Sequence, residues 1–147
     1  MLDEGDLKIL DILKQNAKLT IKQIAKRAGM PDTTVHNRIK RMENSGIIKG
    51  YTVSLNNKKI GKNISAYILI TVDYKLLKEI KITQHDLAKR LRTHKSVEEV
   101  DMITGTNDII IRIAVSDMSQ LDEFVTKYLR NIDGVEKTET LVILSRF

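Results

Sequence analysis

The sequence contains no cysteine and no tryptophan, a single proline, and only 4% aromatic residues. Without thiols it forms neither disulfides nor thiolate metal and redox centres. Its core has to be packed from isoleucine, leucine and valine rather than from rings. Long apolar runs are also missing: those near 66–72 and 109–115 fall far short of the roughly 20 residues that span a bilayer. No signal pattern opens the chain, so a soluble, cytoplasmic protein with no membrane partner is expected. Catalytic signatures are lacking too. His36, His85 and His94 stand apart, and no HExxH pattern, nucleophile elbow or phosphate-cradling glycine loop occurs. His85 and His94 are nine positions apart, not the four that place two ligands on one helix face. No metal site, cofactor or catalytic residue is expected, and the chain is not expected to be an enzyme.

What the chain has instead is positive charge, unevenly placed. Its 147 residues carry a formal net charge of +6. Residues 1–62 hold 13 Lys and Arg against 6 Asp and Glu, whereas residues 63–147 hold 12 against 13. The first part is therefore +7 and the rest −1, the distribution of a chain in which one module faces phosphates and the other does not.

The cationic part is organised around 19–46, which reads as two short helices and a tight turn. Thr20 is a natural cap, and Ile21, Ile24 and Ala25 recur at helical spacing, leaving Lys22, Gln23, Lys26 and Arg27 outside. Gly29 suits the turn. Pro31 and Asp32 open the next helix, whose apolar face is Val35, Ile39 and Met42 and which ends at Gly46. A first helix over 3–15, capped by Asp3, with acids Glu4 and Asp6 in its first turn and Ile9, Leu10 and Leu13 inward, braces this pair. Residues 47–55 turn to strand-like alternation and form a tether, and 56–63 are polar and turn-rich. The expected division is a helix-turn-helix domain over 1–50, a strand tether and linker over 51–63, and a second domain over 64–147.

In the second domain the period predicts strands over 64–73, 97–104, 109–115 and 135–145, with helices over 83–93 and 117–131. The order βαββαβ is that of a ferredoxin-like sandwich, one antiparallel sheet with helices on one face. The fold class is thus α+β, a winged-helix-like helix-turn-helix domain followed by a ferredoxin-like domain. The strands look apolar on both faces, Ile64, Ala66, Ile68 and Ile70 alternating with Tyr67 and Leu69, and Leu141 and Ile143 with Val142 and Leu144. An uncovered apolar face predicts a homodimer formed sheet to sheet.

Four segments, LDEGDLKIL from Leu2, Leu19 to Ala28, VHNRIKRMENSGIIKGYTVSLN from Val35 to Asn56, and GTND from Gly105 to Asp108, resemble the Lrp/AsnC family of transcription regulators. The resemblance covers essentially the whole chain. It implies an amino-terminal helix-turn-helix, a carboxy-terminal domain that binds amino acids or related effectors, and dimers that assemble into octamers. This chain has Pro31 where the family often has serine, so the cap of the recognition helix has to come from Asp32 or Thr33. It also has Asn107 where an aromatic or apolar residue is common.

The function expected is sequence-specific binding of double-stranded DNA, modulated by a free amino acid or related effector. Arg38 and Asn37, with Thr33, Thr34 and His36 nearer the helix start, are expected in the major groove, where arginine grips guanine and asparagine adenine for about 1–3 kcal/mol of discrimination each. Lys18, Lys22, Lys26, Arg27, Lys40 and Arg41 are expected on phosphates. His36 is equally readable as plain helix surface. For the effector, the hairpin Thr104, Gly105, Thr106, Asn107 and Asp108 offers backbone N–H groups to a carboxylate and an aspartate to an ammonium, although Gly-Thr-Asn-Asp is also simply a good turn. Two alternatives carry less. Distant relatives of this architecture include sirohaem decarboxylases, and ferredoxin-like sheets also bind RNA, but the strand over 109–115 lacks the stacking aromatics that RNA requires.

Overall fold

A computed structural model describes residues 1–146; Phe147, the last residue of the expected second domain, lies outside them. The chain forms two compact units that divide between Ser54 and Leu55, inside the stretch expected as linker.

The first unit holds α1 (Glu4–Gln15), α2 (Ile21–Ala28) and α3 (Asp32–Asn44). Asp3 caps α1 reciprocally with Asp6, each carboxylate accepting the other's backbone N–H, and Thr20 and Gln23 do the same for α2. Gly29 takes φ +69° and turns the chain toward α3. The expected side-chain cap from Asp32 or Thr33 is absent. Pro31 occupies the capping position with φ −61°, and both residues already lie inside the helix, where Asp32 acts through the helix dipole. Ile9, Leu13, Ile24, Ala25, Ala28, Val35, Ile39 and Met42 form one buried core.

Residues 47–55 do not form the expected strand. A strand needs a neighbour for its N–H and C=O groups, and none of the described residues supplies one. Tyr51, Val53 and Leu55 are exposed there, and the Tyr51 hydroxyl donates to Glu43 at 2.7 Å.

The second unit opens with a 3-10 turn, Asn57–Ile60, tied to the sheet by an Asn57 to Glu98 hydrogen bond. Then come β1 (Ile64–Val72), α4 (Tyr74–Glu79), α5 (Gln84–Arg92), β2 (Val97–Met102), β3 (Ile109–Val115), α6 (Met118–Glu123) and β4 (Val135–Val142). The strands pair antiparallel in the order β2-β3-β1-β4, the ferredoxin-like topology with α4 added. The helix expected over 117–131 is α-helical only through Glu123 and continues as a π turn, Phe124–Tyr128, and a 3-10 turn, Leu129–Asn131. One sheet face, with Ala66, Ile68, Ile70, Ile109, Ile111 and Ile113, is buried together with Leu87, Leu91, Leu121 and Phe124.

The other face corrects the expectation of an apolar surface throughout. Tyr67, Leu69 and Ile110, with Leu141 beside Tyr67, are flanked in register by Arg112, Glu139 and Asp101, and Lys137 lies opposite Thr71 at the edge. The alternation in β4 is interrupted by charge, so this face is an apolar centre with a charged rim.

Candidate nucleic-acid interface and effector loop

The outward side of α3 follows from its buried one. With Val35, Ile39 and Met42 in the core, the exposed residues at helical spacing are Asn37, Lys40, Arg41 and Asn44, which line a shallow concave surface with Ser45. Thr33, one turn earlier, is exposed, Thr34 is half-buried, and Lys22 and Arg27 of α2 are exposed. His36 and Lys40 also edge a groove of about 310 Å³ floored by Leu13, Ile24 and Ile39 and closed by Tyr51. His36 therefore lies on the flank of the helix, not on its crest.

Arg38, expected in the major groove, is engaged here within its own unit. Its Nη1 lies 2.6 and 2.7 Å from the two carboxylate oxygens of Asp3 and 2.9 Å from Asp6 Oδ1. Arg41 Nη2 reaches Asp6 Oδ2 at 2.6 Å while its side chain stays largely exposed. Arg38 sits beside the buried stripe of α3 on the flank facing α1, so its guanidinium meets carboxylates before it can meet a groove. Asp6 has no solvent exposure at all. The Arg38 hydrogen bond holds the Asp3 carboxyl down at about 2. Burial pushes the Asp6 carboxyl up, but the Asp3 N–H, Arg38 and Arg41 together outweigh it and leave it below the usual range.

In the second unit the β2–β3 loop exposes Thr104, Gly105 and Thr106, with Gly105 at φ +122°. Asn107 and Asp108 are half-buried. Asp108 is a staple: its Oδ2 accepts the Val72 N–H at 2.8 Å, its Oδ1 the Tyr74 hydroxyl at 2.8 Å, and its carbonyl the Gln84 amide at 3.1 Å. The hydrogen bond to Asp108 raises the Tyr74 phenol above its usual value. The carboxylate expected to pair with an ammonium is thus partly spent on holding the loop to β1 and α4, while the main-chain carbonyl ties it to α5; about two of the carboxylate's four lone-pair sites remain. Among the described residues, no group of three potential metal ligands comes together, and no helix is long and apolar enough to cross a membrane.

A family model described as the Lrp/AsnC ligand binding domain matches residues 65–147, and one described as winged helix-turn-helix DNA-binding matches residues 2–49. The chain belongs to the Lrp/AsnC family. An uncharacterized HTH-type transcriptional regulator of Pyrococcus horikoshii is 35% identical over 97% of this chain and 92% of its own length. The HTH-type transcriptional regulator FL11 of Pyrococcus furiosus is 34% identical over 98% of this chain and 90% of its own. Among solved structures, a transcriptional regulator of Neisseria meningitidis in complex with L-Met matches with TM-score 0.89 and 25% identity, covering 99% of this chain and 91% of that one. AsnC of E. coli matches with TM-score 0.82 and 28% identity, covering 99% and 94%.

This Lrp/AsnC chain is accordingly a transcriptional regulator with a DNA-binding unit followed by a ligand-binding one. The shallow surface on α3 also includes Asn44, one turn beyond Lys40, which the sequence pattern does not single out. Nor does that pattern single out Val72, Tyr74 and Gln84 around the loop, which no motif marks and which only strand pairing brings to Asp108.

Proposed function

We propose that this regulator reads duplex DNA with the crest of α3, Thr33, Asn37, Lys40 and Asn44, and takes a free amino acid at the β2–β3 loop of its second unit. The observation that carries the first half is the crest itself: hydroxyl, amide and ammonium donors at i, i+4, i+7 and i+11 spacing on the exposed side of the second helix of a helix-turn-helix. Lys18, Lys22, Lys26 and Arg27 supply phosphate contacts, which set affinity rather than sequence choice. The exposed backbone of Thr104–Thr106 holds the effector carboxylate, and the open lone pairs of Asp108 face its ammonium. The L-Met complex of the Neisseria relative supports this class of ligand.

The open sheet face pairs two copies, which then address a near-palindromic site with half-sites roughly 34–36 Å apart or a multiple of that. Selection of bound duplexes from random DNA, with and without a pool of amino acids, tests the reading. A single enriched palindrome whose recovery shifts with the pool is expected. Asn37→Ala should relax the choice at one position per half-site, at about 1–3 kcal/mol per contact. Recovery of unselected sequence under both conditions would sink it.

A further inference from the structure

Asp3 and Asp6 stand at the start of α1, and Arg38 and Arg41 belong to α3. Two carboxylates and two guanidiniums sum to zero charge, so this corner of the cationic unit presents no net attraction to phosphate although it contains both arginines of α3. Arg38 is the more deeply engaged. One nitrogen meets three oxygens of two aspartates within 2.9 Å, and the side chain keeps only 26% of its exposure. Asp6 receives the Asp3 N–H, Arg38 and Arg41 and is closed to solvent. A carboxylate at that depth is tolerable only while those donors stay, so pulling Arg38 into a groove would strand it.

The backbone is shaped for the arrangement. A Cβ placed on Gly5 would lie 3.3 Å from Arg38 Cζ and 2.9 Å from Met30 Cε, so the absence of a side chain at the second position of α1 leaves room for the guanidinium to pass.

We propose that Asp3 and Asp6 are positioning residues for DNA recognition: they withhold Arg38 from the duplex as an internal phosphate substitute and fix the roll of α3, so that base selection falls to the crest at Asn37, Lys40 and Asn44. Capping of α1 alone would need only the oxygens that accept backbone N–H groups. The other two oxygens, Asp3 Oδ2 and Asp6 Oδ1, both accept from Arg38 Nη1, and the capping oxygens themselves also meet Arg38 and Arg41. In this arrangement Arg38 neutralises no phosphate in the native protein, while Arg41, largely exposed, divides its guanidinium between Asp6 and solvent.

The test is the slope of log Kobs against log salt for the full chain on a random-sequence duplex, read by fluorescence anisotropy between about 50 and 200 mM salt, where each phosphate that the protein neutralises is worth about 0.9 in slope. Arg38→Gln is expected to leave the slope unchanged. Asp3→Asn with Asp6→Asn is expected to steepen it by about 0.9 to 1.8, and adding Arg38→Gln to that pair is expected to take back about 0.9. Glu4→Gln removes an exposed acid of the same turn and should leave the slope alone. A slope reduced by Arg38→Gln in the otherwise native chain would overturn the proposal, because Arg38 would then already be on phosphate. If the paired aspartate variant or Arg38→Gln, which both disturb the buried Asp6, fails to fold, the exposed Asp3→Asn still decides it, its slope being expected steeper than that of Glu4→Gln. A thermal midpoint that falls in Asp3→Asn, with a slope no steeper than in Glu4→Gln, would reduce the aspartates to a structural role and count against it.

Discussion

The buried carboxylate of Asp6 couples the fold of the first unit to pH. Asp3, its partner, is held at about 2 by the Arg38 hydrogen bond, well below its ordinary 3.8, and Asp6 is lowered in the same direction. A carboxyl depressed in the folded state adds stability that is fully present above its unfolded value and disappears as pH falls through the folded one. Asp3→Asn should therefore lower the urea midpoint at pH 5 to 7, the deficit should shrink below about pH 4, and the two proteins should unfold together near pH 2. A deficit of the same size at every pH would mean that something other than the charge of Asp3 holds α1 to α3. None of this was legible in sequence. An acid in a first helical turn is ordinarily a dipole partner, and an arginine on a recognition helix is ordinarily a base reader. The contact joins residues 32 and 35 positions apart, and only the packing of α1 across α3 creates it.

The secondary structure was more readable, for reasons that differ from one segment to the next. α1, α2 and α5 carry their boundaries in local chemistry, because Asp3, Thr20 and Thr83 each meet an acceptor-bearing side chain three residues on. β1 and β3 announce themselves by branched residues. α4 escaped because six residues with one buried side chain, Leu77, make no periodicity. The π turn after α6 escaped because Leu121, Phe124, Val125, Tyr128 and Leu129 keep an apolar stripe that reads the same whichever carbonyl each N–H bonds. The turn into β4 gives a direct measure of how tightly α4 is held. Gly134 has φ +97°, and a Cβ there would come within 2.5 Å of Leu77 Cδ2, whereas Gly61 has φ +80° and open space around it. Gly61→Ala should cost about 1 kcal/mol from backbone strain alone. Gly134→Ala should cost that plus about 1–3 kcal/mol of overpacking. Equal losses for the two in denaturant titrations would show that α4 yields freely, and the larger loss at Gly134 is the expected result.

Assembly is where the chain's two units have to serve one purpose. The covered face of the sheet accounts for the isoleucines, but the uncovered face still presents Tyr67, Leu69, Ile110 and Leu141 as a contiguous centre, with Arg112 paired to Glu99 and Lys137 and Glu139 at its edge. Apolar centre and charged rim is the anatomy of a protein interface, and charge at the rim sets register without burying an unpaired ion. Residues 47–55, which form no strand and expose Ile47, Tyr51, Val53 and Leu55, add a second apolar element open to a partner. Leu69 lies opposite Ile110 on one side and Glu139 on the other, so Leu69→Glu puts a charge at the centre of the patch and a like charge beside it. If the proposed sheet-to-sheet homodimer forms through this face, analytical ultracentrifugation should then show it falling to monomer at micromolar protein, while the circular dichroism of the second unit stays native because position 69 is outside the core. The loss should carry through to DNA. A monomer keeps its contacts to one half-site but forfeits the linked second one, so affinity for a two-half-site duplex should drop by about 10²- to 10⁴-fold while affinity for a single half-site barely moves. A Leu69→Glu protein that sediments as wild type and holds the full palindrome equally well would place the interface elsewhere in the chain.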